Sequence, residues 1–170
     1  MDFLELAQKR YSCRRLTAEP LTETELSAII QAAQLAPSAM NKQPWKIFLM
    51  ESPEAKKAVK QVMHDTFGAG TFLVLAAKPD QAWQRNHDGK NFADVDLTIA
   101  ATHMLLEIQQ LGLGTTWVGS FDAPGLKQLF PIMEDLDLLA ILPIGHPAAD
   151  AEPSERHPLR KSTQELVCKL

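Results

Sequence analysis

Between Phe92 and Leu111 lies a stretch whose apolar residues, Val95, Leu97, Ile99, Ala100, Ala101, Met104, Leu105, Leu106 and Ile108, fall on nearly every face of a helix. A helix of that kind wants burial all round, and a chain of 170 residues seldom encloses one unaided. The stretch therefore predicts a long central helix in a single domain over residues 1–170, with a second copy of the chain supplying the missing cover.

The segments around it alternate in period. Residues 2–10 predict a short helix. Thr22 to Leu35 predicts a second, capped by Thr22 or Thr24, with Leu26, Ile29, Ile30 and Ala33 as its apolar stripe and Pro37 as its stop. Trp45 to Met50 and Thr71 to Ala77 predict strands, and Ser52-Pro53-Glu54 opens a helix between them. Thr115 to Phe121 and Leu138 to Ile144 predict two more strands, separated by a short helix from Ala123 to Phe130. Lys78 to Asn91 is polar and reads as a loop bordering a site. After Gly145 comes a proline-rich tail, His146 to Pro158, whose later Leu159-Arg160-Lys161 and Leu166-Val167 suit an extended arm laid on a partner subunit. Helices and strands in this order place the fold among α/β or α+β architectures.

Charge narrows the partners. Seventeen Lys and Arg stand against 21 Asp and Glu, a net charge of −4 with no long like-charge block, which argues against nucleic acid and an anionic membrane as partners. The opening residues carry two acids and no apolar signal region, and no uncharged apolar run is long enough to span a membrane, so a soluble, cytoplasmic protein is expected. Cys13 and Cys168 have no ligand spacing and read as reduced thiols, and the five histidines form no metal-ligand pattern, so no metal is expected.

The chemistry-bearing residues sit at the ends and in two internal segments. Arg10-Tyr11-Ser12-Cys13-Arg14 follows the first helix and either complements its dipole or, together with Arg160, closes on one anionic group such as a nucleotide phosphate. Ala36 to Trp45 is either an ordinary loop or a proline-stiffened frame offering Ser38, Asn41 and Gln43 to a flat polar ring. Gly112 reads as a helix C-cap, since Gly112 to Gly119 lacks the dinucleotide-binding spacing, and Gly119 would let a planar ligand approach the backbone. No side-chain acid and base pair stands out, which points to a cofactor that carries the chemistry.

Taken together, these segments resemble the FMN-dependent nitroreductase family in its short, single-domain form, over nearly the full length of the chain. The resemblance implies an α+β fold, a three-layer sandwich with a central mixed sheet flanked by helices, in a homodimer with an exchanged C-terminal arm. It implies FMN at the subunit interface. Arg10, Ser12 and Arg14 would hold its phosphate and ribityl chain together with Arg160, assisted by Lys161, and Tyr11 would be a further cofactor-binding residue. Pro37, Ser38, Ala39 and Asn41 would come from the other subunit, and Trp117, Val118, Gly119 and Ser120 would lie along the ring, with the Gly119 N–H near flavin N5. The implied activity is NAD(P)H-dependent oxidoreduction, in which NADH or NADPH reduces the flavin and a small-molecule acceptor, nitroaromatic or quinone-like, reoxidises it. The alternatives are another flavin reaction on the same fold, such as flavin fragmentation or dehalogenation, and a flavin carrier without turnover.

Overall fold

The computed structural model describes residues 2–170. Short polar side chains start the helices by accepting backbone N–H groups that the first turn leaves without partners. Asp2 accepts from Glu5 to open α1 (Phe3–Lys9), and Thr22 and Glu25 form a reciprocal capping box at α2 (Glu23–Gln34). Ser52 opens α3 (Pro53–Val62), and the Asn91 side chain accepts from Ala93 at the start of α4 (Ala93–Gln110). Asp122 opens α5 (Ala123–Leu129), and Ser162 opens the single turn α6 (Thr163–Leu166). At the far end of α4, Gly112 turns left-handed at φ 76°, and the N–H groups of Gly112 and Leu113 return to the carbonyls of Gln109 and Ile108.

Four strands make one sheet in the order β1 (Trp45–Leu49), β2 (Thr71–Ala77), β4 (Asp137–Gly145), β3 (Gly114–Thr115). Side chains alternate across it. Leu73, Leu75, Leu142 and Ile144 face one way into a core with Ile29 and Ala33 of α2 and Leu97, Ala101, Met104 and Ile108 of α4. Phe72, Val74 and Ile141 face the other way, against Ala55, Val59 and Val62 of α3 and Leu126 of α5. The result is the three-layer α+β sandwich expected from the sequence.

Two expectations need correction. The sheet is not mixed within the chain, since all three pairings are antiparallel. The ten-residue helix α3 descends about 15 Å from the end of β1, and the chain then runs back along 63–70 to the same end of the sheet before β2 begins, so β2 returns beside β1 in the opposite direction. The strand expected over Thr115 to Phe121 is also shorter, limited to Gly114–Thr115 with isolated bridges from Val118 to Ile141 and from Phe121 to Met63. Val118 keeps the register that sets Gly114 opposite Gly145, which puts Thr116 opposite Pro143, a residue with no N–H to return. The ladder is thereby interrupted at Thr116 and resumes only at Val118, which exchanges hydrogen bonds with Ile141 at 3.1 and 2.9 Å.

Helix α4 is covered on one side only. Leu97, Ala100, Ala101, Met104 and Ile108 are buried, while Val95 stays 37% exposed and Leu106 half-buried. Leu106 lines an apolar groove of about 600 Å³ with Phe3 and Leu6 of α1 and Ala28 and Ala32 of α2. Among the described residues no helix is long and apolar enough to cross a membrane.

The segment after α1 reaches the sheet through glycine. An ideal Cβ on Gly145 would stand 2.5 Å from the Thr17 carbonyl oxygen, and one on its strand partner Gly114 would stand 2.7 Å from Leu16 Cδ2 and 3.0 Å from Cys13 Sγ. Replacing Gly145→Ala must push backbone against backbone, so urea unfolding is expected to show a loss of about 1–3 kcal/mol; an unchanged midpoint would mean that the segment is not held by this contact.

Candidate functional site

Residues 10–18 carry the first half of the site. Cys13 donates its N–H to the Thr115 carbonyl at 2.9 Å, Leu16 to Phe67 at 2.8 Å and Thr17 to His146 at 2.8 Å, while Ala148 donates to Arg15 at 2.9 Å. Cys13 and Leu16 are buried as anchors, so the residues between and before them project from a fixed backbone. The last of these bonds also fixes the start of the C-terminal tail against the N-terminal segment. Arg15 adds an exposed ion pair to Asp150 at 2.6 Å.

The two ends of the chain enclose a cavity of about 490 Å³. Arg10, Tyr11, Ser12 and Arg14 line one side, and Ser154, Arg156, His157 and Arg160 the other. Four guanidiniums meet there with no acidic residue among the lining, and none of the four has a carboxylate within 4 Å among the described residues. Like charges gathered in this way repel unless an anion lies between them, and planar forked donors suit the oxygens of a phosphate. Arg160 also donates to the carbonyls of His157 and Leu159, which closes the tail into a loop at the cavity mouth.

Of the residues singled out in the sequence, Arg10, Tyr11, Ser12, Arg14 and Arg160 come together here. Lys161 is exposed and does not line the cavity. Arg156, Ser154 and His157 were missed, because a proline-rich tail shows no periodicity; the spacing of Arg156 and Arg160, four apart like Arg10 and Arg14, is the one signal that marks them.

Pro37, Ser38, Ala39 and Asn41 occupy a different place, beside the start of α4. The Ala39 N–H donates to Asp96 Oδ1 at 3.0 Å, and the Gln43 N–H to Ser38 Oγ at 3.0 Å. Met40, Asn41 and Gln43 all take left-handed φ values of 55°, 53° and 48°. That conformation disfavours side chains with a Cβ, and such residues collect where a backbone is shaped for function. Asp96 is buried with its Oδ2 lacking any partner, an orphan oxygen directly beneath this loop. Gln43 donates its side-chain amide to Asn41, so the Gln43 donor is turned inward and not outward to a ring. Trp117 and Val118 are half-buried, Gly119 and Ser120 exposed, and a Cβ on Gly119 would meet only Trp117 Nε1 at 3.8 Å. Neither segment borders the arginine cavity within one chain.

The sequence model described as the Nitroreductase family matches residues 7–71 and 63–146. The chain belongs to the nitroreductase family. A protein called NADH dehydrogenase from Thermus thermophilus is 28% identical over 95% of this chain and 94% of its own length. An iodotyrosine deiodinase from Nematostella vectensis is 23% identical over 89% of this chain and 69% of its own. Among solved structures, a nitroreductase family protein from Clostridium difficile superposes with a TM-score of 0.90 at 30% identity, covering 99% and 98% of the two chains. A candidate nitroreductase in complex with FMN from Exiguobacterium sibiricum has the same fold, with a TM-score of 0.84 at 17% identity over 100% and 98%. The chain is thus an oxidoreductase-family protein with the nitroreductase fold.

In this member of the family, Tyr11 stands between the cavity and the buried Cys13. Its hydroxyl donates to Cys13 Sγ at 3.6 Å, and the thiol donates to the Arg15 carbonyl at 3.4 Å. Burial first, and then the bond to Cys13, push the Tyr11 hydroxyl up to about 12 from its usual 10.0. The folded chain keeps a proton that the unfolded chain releases, so stability falls as pH rises through that window. Tyr11 is the sole tyrosine, so tyrosinate absorbance reads it alone. At about pH 11 roughly a tenth of it should be ionised in the folded protein and roughly nine-tenths in denaturant; equal ionisation in both would remove the buried bond.

Proposed function

We propose that this chain is an FMN-dependent NAD(P)H oxidoreductase of nitroreductase type that works as a homodimer. The observation that carries the reading is the cavity where four arginines from both ends of one chain meet without a counter-charge. A phosphate monoester suits that lining in charge, size and donor geometry. Arg10, Arg14, Arg156 and Arg160 would hold the phosphate, and Ser12 would add a hydroxyl donor. Lys161 would assist from the cavity rim.

Two further features support a ring site shared between protomers. The strained loop Pro37 to Asn41 and the segment Trp117 to Ser120, joined to β4 through Val118, are shaped backbone away from the arginine cavity, as expected if each completes a site begun by another chain. The groove between α1, α2 and α4, the exposed Phe3, Leu4 and Leu35, and the exposed Leu159, Leu166 and Val167 of the tail leave apolar surface for a second copy to cover. Pro37, Ser38, Ala39 and Asn41 of one protomer would then line the ring from one side. Trp117, Val118, Gly119 and Ser120 would line it from the other, with the open backbone at Gly119 admitting a planar group. When bound, FMN supplies two-electron chemistry, taking a hydride from NADH or NADPH and passing it to a nitroaromatic or quinone-like acceptor in ping-pong order. The iodotyrosine deiodinase relatives favour reductive dehalogenation as a second reading.

Protein loaded with FMN is expected to be yellow, to bleach anaerobically on addition of NADH or NADPH, and to recover its colour with a nitro compound or quinone. Recovery with a halotyrosine alone would favour the second reading, and protein that stays colourless in FMN would reject both. Arg14→Ala and Arg160→Ala should each weaken FMN binding by about 1.5–3 kcal/mol, as for other charge-assisted hydrogen bonds; titrations indistinguishable from the unaltered protein would remove these residues from the site.

A further inference from the structure

From residue 152 to the C-terminus every residue but one is exposed, and the exception is His157. Among the described residues, a single hydrogen bond joins this whole tail to the rest of the chain. His157 Nε2–H donates to the carbonyl of Gln8 at 3.1 Å. Gln8 is in the last turn of α1, where the carbonyls have no partner within the helix, so the imidazole caps α1 from 149 positions away in sequence. The same ring packs edge-on against Tyr11, with centroids 6.3 Å apart at 66°, and its own backbone carbonyl accepts from the Arg160 guanidinium.

These contacts give one side chain control over both halves of the arginine cavity. Arg10 is the residue at which α1 ends, and Tyr11 and Ser12 follow directly. Arg156 and Arg160 flank His157 on the tail. Glu155 lies beside Arg14 and Arg156 but closes no ion pair with them within 4 Å among the described residues, so without this cap the mutual repulsion of the guanidiniums would favour Arg156 and Arg160 swinging out into water, where their charges are better solvated.

We propose that His157 is a positioning residue that docks the C-terminal tail on the end of α1, and that Arg156, set in place by it, is a further phosphate-binding residue beside Arg160. The proposal deepens the FMN reading and rests on it for the identity of the ligand. What it adds is specific. His157 acts on the phosphate end of the ligand and leaves the ring end alone.

The test compares FMN, riboflavin and inorganic phosphate as ligands of the full-length protein by calorimetric titration. His157→Ala should weaken FMN and phosphate by about tenfold or more while riboflavin affinity moves less than about twofold, a pattern of lost charge-assisted contacts confined to the phosphate. His157→Gln, whose amide can still donate to the Gln8 carbonyl, should recover most of the FMN affinity. Arg156→Ala, at an exposed position that does not threaten folding, should show the same selective loss. An unchanged FMN affinity in His157→Ala, or an equal loss of FMN and riboflavin, would overturn the positioning role, and an unaffected Arg156→Ala would overturn the binding role. Should the unaltered protein bind neither flavin, the FMN reading fails by itself, and the phosphate titrations still decide on His157 and Arg156.

Discussion

Glycine at the end of the sheet sets where everything else in the candidate site can be. Gly114 and Gly145 face each other across the β3–β4 pairing, and Gly68 and Gly70 bring the return segment up to Leu16 and Ala18 with Cβ distances that no side chain tolerates. The strip from Cys13 to Ala18 lies in the slot they leave, tied by backbone bonds to Thr115, Phe67 and His146. Arg10, Ser12 and Arg14 therefore project from a backbone fixed to the core, and the C-terminal tail leaves the sheet alongside it through the bond from Ala148 to Arg15. The meeting of the two ends follows from packing that is remote from any ligand.

Electrostatics at the cavity work against the packing that creates it. Four guanidiniums held near one another raise the free energy of the empty site, and the one ion pair close by among the described residues, Arg15 with Asp150, is exposed and of small worth. The loop from Met40 to Gln43 adds a second unfavourable contribution through three left-handed side-chain-bearing residues, held by Ser38 and by the buried Asp96. Unfavourable charge in one segment and unfavourable backbone in another are what a binding site keeps when a ligand will offset the first and use the second.

Much of this was legible in the sequence because it is local. Thr22, Ser52 and Gly112 announce helix ends through caps that involve only their neighbours, and Thr71 to Ala77 announces a strand buried on both faces. Arg10, Arg14 and Arg160 were legible as a group through the resemblance of their segments to one family, although Arg10 alone could equally be read as complementing the dipole of the first helix. What was not legible depends on register or on long-range contact. Pro143 shortens the strand after Gly114 only because it falls opposite Thr116, and the sheet is antiparallel because the chain doubles back between α3 and β2. Arg156 and His157 lie in a tail with no period to read, and the pairing of Asp96 with Ala39 spans 57 positions that no local pattern connects. The second protomer was inferred from α4, and the single chain leaves one stripe of that helix uncovered, with Val95 exposed and Leu106 half-buried.

Pro143 has a further consequence, in what the protein avoids. A flank of sheet with free N–H and C=O groups is a template on which another molecule can add a strand, and growth by such addition ends in fibrils. Here β3 is two residues long, and beyond it the proline withholds a donor where the next pair would form, so that flank offers too short a run to copy. On the opposite flank β1 presents the exposed Lys46. An intruding strand would have to bury that ammonium, and at the other margin Cys13 already occupies the Thr115 carbonyl, so the sheet is guarded at each side against runaway polymerisation.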